Sequence, residues 1–251
     1  ASKRSDKVWV ASFTDGLGYY SMNGAYTSVP IYDRDGKAVR SVMAVKIDHR
    51  GRLWATTLGC NIFCIDTKTC RVIPEYSIIP GLNEWQLCSQ VTKDGNIYVG
   101  TFDGMYVVSE NNGKPVVGQK HFLQGIIVHD ITEDRSGNLW VATSHGLARL
   151  DVRTGKVTTL TTAQGLISNT VYAVRCDDYG MVWATTSSGL AQLSTDLKNV
   201  ANFTAADGIQ GNEFSRGAAY IDSQGRLWAG GTSGVSYFRP TDAGSPSDKW
   251  T

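Results

Sequence analysis

Gly137-Asn138-Leu139-Trp140-Val141-Ala142-Thr143, followed after two residues by Gly146-Leu147-Ala148-Arg149-Leu150-Asp151, is the stretch that decides the fold. A short apolar run, a glycine turn and a second apolar run read as two antiparallel strands. Working outward, Ile127 to Glu133 reads as a strand before them. Asp134-Arg135-Ser136-Gly137-Asn138 forms the turn, and Val157 to Thr161 is a fourth strand after Arg153-Thr154-Gly155. The central phrase returns as Val8-Trp9-Val10-Ala11, Leu53-Trp54-Ala55-Thr56, Ile97-Tyr98-Val99-Gly100, Val182-Trp183-Ala184-Thr185 and Leu227-Trp228-Ala229-Gly230. Its aromatic recurs after 45, 44, 42, 43 and 45 residues. Four strands per period of roughly 43 residues predict an all-β propeller of four-stranded blades.

The aromatic strand is apolar on both faces, so it must lie between two neighbouring sheets. Trp9, Trp54, Trp140, Trp183 and Trp228 are therefore expected to be packing residues. Asp48, Asp134, Asp177 and Asp222 each stand six positions before their Trp and close to a glycine. An Asp there caps a hairpin turn through its own backbone, so neighbours such as Asp177 and Asp178 read as turn chemistry rather than a catalytic pair.

Composition narrows the function classes. The 251 residues carry 24 Lys and Arg against 23 Asp and Glu, a net charge of +1, with no basic stripe to hold nucleic acid or an anionic membrane. No apolar run reaches the length of a membrane span. Cys60, Cys64, Cys70 and Cys88 lack metal-ligand spacing, and either one or two disulfides, such as Cys64 to Cys70, or free thiols fit them. No cofactor, metal or catalytic motif is expected, and none of His49, His121, His129 and His145 has ligand spacing to another.

The chain opens on a second strand, Lys7 to Phe13, and its last copy stops after a third, Gly234 to Phe238. The expectation is a propeller over residues 1–239 that begins upstream of Ala1 and belongs to a seven-bladed ring. Residues 240–251 have the composition of a linker toward a following domain.

The repeated phrase with its Gly-Leu and Asp-x-x-Thr-Gly hairpin resembles the two-component regulator propeller repeat. Asp207-Gly208-Ile209-Gln210-Gly211-Asn212-Glu213-Phe214, with Gly230-Gly231-Thr232-Ser233-Gly234-Val235, resembles the last blade of the hybrid two-component sensors of Bacteroides-type bacteria. The resemblance implies a periplasmic sensor part that recognises glycan-derived oligosaccharides. Its partners would be an adjacent propeller and an immunoglobulin-like domain, in a homodimeric parent whose histidine kinase lies outside this chain. It is similar in fold to streptogramin lyases and glycan-cleaving propellers too, so an enzyme is one alternative and a protein-contact or dimerisation module another.

Ligand-binding candidates are the positions that break the internal repetition. Trp85, in the connection Gly81 to Gln86, offers a flat apolar face suited to a sugar. Equivalent connections supply His129, Asn169 and Tyr172, then Asn212, Glu213 and Arg216. Against them stands a local role: Trp85 covering a neighbouring blade, and Glu213 pairing with Arg216.

Overall fold

The structure, a computed structural model, describes residues 6–82 and 85–242. These fall into two compact units, Ala1–Gly125 and Ile126–Thr251. In the first, β1 (Lys7–Ser12), β2 (Gly16–Ser21) and β3 (Tyr26–Val29) form a three-stranded sheet. β4 (Val42–Ile47), β5 (Arg52–Thr57), β6 (Ile62–Asp66) and β7 (Arg71–Val72) form a four-stranded one. β8 (Gln86–Val91), β9 (Ile97–Thr101), β10 (Gly104–Asn111) and β11 (Lys114–Phe122) form another.

The second unit repeats the plan. β12 (Val128–Glu133), β13 (Leu139–Thr143), β14 (Gly146–Leu150) and β15 (Val157–Leu160) make one sheet. β16 (Val171–Cys176), β17 (Met181–Thr186), β18 (Leu190–Ser194) and β19 (Val200–Phe203) make the next. β20 (Phe214–Ile221), β21 (Leu227–Gly231) and β22 (Gly234–Phe238) make the last, with three strands. All pairings are between sequence neighbours and antiparallel, as blades require. Six blades are therefore present, of three or four strands each; the expected seventh blade has no counterpart among the described residues. Of the expected linker, residues 243–251 lie outside them.

Strand alternation explains how the blades stack. In a strand successive side chains point to opposite faces. Trp183 therefore packs with Ala229 and Leu227 of the following sheet, while Val182 and Ala184, on either side of it, pack on Trp140 of the preceding sheet. The first unit does the same, with Trp54 among Ile97 and Val99, and Ala55 in the cluster that includes Trp9. Within each unit, a Trp-bearing second strand thus gives its indole to the following sheet, which takes it on its own second strand. Trp54, Trp140 and Trp183 are almost wholly buried.

The aspartate before Trp54, Trp140, Trp183 and Trp228 does more than cap a turn. Asp134 Oδ1 accepts the backbone N–H of Ser136 and Asn138, both at 2.9 Å, and Oδ2 accepts Trp140 Nε1–H at 3.1 Å. Asp48 does so for Trp54, Asp177 for Trp183 and Asp222 for Trp228, each at 2.9 Å. The turn and the inter-blade indole are thus tied by one carboxylate. In the third copy Thr92 stands in the aspartate's place and the aromatic is Tyr98, which has no indole N–H to satisfy. Cys64 and Cys70 are free thiols, so the disulfide considered between them is not formed. No helix among the described residues is long and apolar enough to cross a membrane.

Candidate ligand site on the first strands of the second unit

Every first strand that is followed by a Trp or Tyr strand in a four-stranded sheet carries an irregularity at one place. In β12 the register shifts between Val128 and Asp130, leaving His129 as the extra residue; in β16 it shifts between Val171 and Ala173, leaving Tyr172. β4 and β8 do the same at Met43 and Leu87. In β20 the shift spans Phe214 to Ala219 and holds Arg216, with Gly217 at φ +65° supplying the left-handed turn. A bulge frees its extra residue from the ladder and re-aims its side chain. Conserving the bulge while changing its residue lets one scaffold present different chemistry.

The connections into β16 and β20 are built alike. Thr161 and Gln164 form a capping box around one turn of 3-10 helix, and Gly165 closes it at φ +96°. Thr204, Asp207 and Gly208 repeat this at φ +95°. Asn169 Oδ1 then accepts Thr162 N–H at 2.8 Å, and Asn212 Oδ1 accepts Ala205 N–H at 2.7 Å. Asn212 therefore holds the connection that delivers Arg216, as Asn169 holds the one that delivers Tyr172. Glu213 is exposed, its backbone carbonyl accepting Thr232 N–H at 3.2 Å.

β12, β16 and β20 pack side by side, and this brings three of the expected residues together. His129 is 5% exposed, and its ring lies 5.6 Å from that of half-buried Tyr172. Its Nδ1 is 2.7 Å from the Val171 carbonyl oxygen. A carbonyl only accepts, so Nδ1 carries the proton and Nε2 of the neutral ring is an acceptor. That Nε2 is buried and has no hydrogen-bond partner among the described residues. Burial is the main cause that holds the imidazole below its ordinary range; the Val171 carbonyl opposes it, the charge of Arg216 adds to it, and Asp130 opposes it. Arg216 itself is exposed and makes no ion pair among the described residues, so the local pairing with Glu213 considered from the sequence is absent.

Sequence reasoning missed a pair beside them. Asp130 is 7% exposed and binds the Arg175 guanidinium, while its oxygens accept Ile131 N–H at 3.0 Å and Val174 N–H at 3.1 Å. A buried charge so completely bonded fixes β12 against β16. The break in alternation shows in the burial of the consecutive residues Val128, His129 and Asp130, which their residue types alone do not announce.

Trp85 belongs to the first unit. It is 56% exposed, forms a bridge with Leu58, and meets Phe102 edge-on with ring centroids 6.2 Å apart. Its sequence neighbours Asn83 and Glu84 lie outside the described residues.

Residues 123–145 match the two component regulator propeller family. No curated protein matches the sequence. Among solved structures, the extracellular domain of a hybrid two component system from B. thetaiotaomicron is 20% identical with a TM-score of 0.83, over 97% of this chain and 33% of that one. Another from the same organism is 18% identical with a TM-score of 0.71, over 94% of this chain and 32% of that one. Virginiamycin B lyase from Staphylococcus aureus is 14% identical with a TM-score of 0.72, over 98% and 84%. The chain thus spans about a third of the length of the sensor domains it matches. It carries the two-component regulator propeller repeat, and its fold is the propeller fold found in those extracellular domains.

Proposed function

We propose that this chain is the ligand-sensing part of an extracytoplasmic, periplasmic sensor, and that its second unit binds an oligosaccharide without transforming it. The observation that carries this reading is the meeting of His129, Tyr172 and Arg216 on adjacent first-strand bulges, where the repeat keeps the backbone and changes the side chain. An aromatic face beside a buried acceptor and an exposed cation is the chemistry that sugar C–H faces and hydroxyls engage. The likeness to sensor ectodomains supports a signalling role, with the kinase, a second propeller, an immunoglobulin-like domain and a homodimer partner as the assembly it would serve.

A thermal-shift screen of the chain against host and plant oligosaccharides tests this. A ligand at one hundred times its Kd adds about 2.7 kcal/mol of stability. Stabilisation by one sugar class with no product formed is the expected result. No shift with any sugar favours a protein-contact module. Product formation favours an enzyme, a reading that the likeness to virginiamycin B lyase along nearly the whole chain keeps in view.

A further inference from the structure

The three bulge residues differ in what they leave unanswered. The charge of Arg175 is met by Asp130, whereas Arg216 faces solvent with no carboxylate paired to it among the described residues. His129 Nε2 is a buried lone pair with no donor among the described residues. An unmet buried acceptor is costly, and a ligand that supplies an O–H recovers that cost on binding. A neutral sugar answers His129 alone. An inorganic anion such as sulfate answers Arg216 alone, because it has no O–H to give at neutral pH. A molecule that carries both a carboxylate and hydroxyls answers both.

Resting on the sugar-binding reading above, we propose that the site formed by His129, Tyr172 and Arg216 selects acidic sugars, with a hexuronate carboxylate on the Arg216 guanidinium and a ring hydroxyl donating to His129 Nε2. Tyr172, between them in sequence and 5.6 Å from the imidazole, supplies the apolar face for the pyranose ring. The fork of a guanidinium matches the two oxygens of a carboxylate, which makes the acid group the discriminating contact. Asp130 does not oppose it, since its oxygens are taken by Arg175 and two backbone N–H groups.

Calorimetric titration with hexuronate disaccharides, with the same disaccharides after reduction of the carboxyl to a primary alcohol, and with inorganic sulfate separates the possibilities. The acidic disaccharide should bind about tenfold tighter than its reduced form, the range of one charge-assisted contact. Arg216→Gln, at an exposed position that leaves the fold intact by circular dichroism, should abolish this preference, the acidic and reduced forms then binding within about twofold of each other. His129→Phe should weaken both forms alike. Equal binding of acidic and reduced sugars, or a preference that survives in Arg216→Gln, overturns the acidic assignment while the sugar reading stands. Sulfate binding as tightly as the disaccharide overturns it too, since the site would then be an anion site only. Binding by no sugar overturns both readings.

Discussion

At the scale of single residues, the aspartate six positions before Trp54, Trp140, Trp183 and Trp228 holds most of the explanation. Asp134→Ala leaves the buried Trp140 N–H without an acceptor, and the loss should be at least about 1 to 3 kcal/mol in urea unfolding. Trp140→Ala should cost about 3 to 5 kcal/mol as a core truncation. Because the two side chains share one bond, a double-mutant cycle of Asp134→Ala with Trp140→Phe should show coupling of about 0.5 to 3 kcal/mol; additive losses would dissolve the pair. Acid provides a second check. Burial pushes the Asp48 carboxyl up, but Trp54 N–H, the Arg52 backbone N–H and the Arg52 guanidinium outweigh it and hold the group below its ordinary range. Its folded value is therefore lower than its unfolded one. The stability it contributes is full above the ordinary carboxylate range and is lost as pH falls through the lowered value. Trp54→Phe raises that value, so melting curves taken against pH should show a smaller acid loss that is complete at a higher pH than in the parent.

At the scale of the element, the sequence is legible where chemistry repeats and illegible where geometry does. The strands of the fourth copy fall within one residue of their expected ends because glycine and aspartate mark the turns. The bulges left no such mark, since an extra residue in a strand changes which face a side chain takes without changing the residue types. The glycines at the start of β14 and just before β18 have a second purpose. A Cβ at Gly146, which has φ +108°, would lie 2.3 Å from the Leu160 carbonyl oxygen, and one at Gly189 would lie 2.5 Å from that of Phe203. At Gly234, in the three-stranded last sheet, nothing lies within 4 Å. Gly146→Ala carries both the steric conflict and about 1 to 3 kcal/mol of backbone strain, whereas Gly234→Ala carries only the strain. Urea midpoints should fall further for Gly146→Ala than for Gly234→Ala, and equal losses would show that the fourth strand's carbonyl is not what the glycine accommodates.

At the scale of the whole molecule, the net charge of +1 supplies no strong overall field to steer a large polyanion, so recognition rests on a few groups placed by the blades. His129, Tyr172 and Arg216 could be singled out from sequence because they interrupt the repeat. That they meet on three packed strands could not, nor could the Asp130–Arg175 pair that braces them, because both depend on how adjacent blades align. Asn212 showed the opposite limit, a residue chosen for departing from one pattern that obeys another, the capped connection it shares with Asn169. Tyr172→Ala should lower oligosaccharide affinity about threefold to tenfold, the value of one aromatic face, with a fall in melting temperature as well, because the ring is half-buried against the cluster around Trp183 and Phe214. The most direct measurement of the central claim is a titration of the isotope-labelled chain with hexuronate disaccharides, read by NMR at every backbone amide. Shifts concentrated around His129, Tyr172 and Arg216 are predicted. Shifts confined to the outer strands β11, β15 and β19, or none with any sugar, would contradict it.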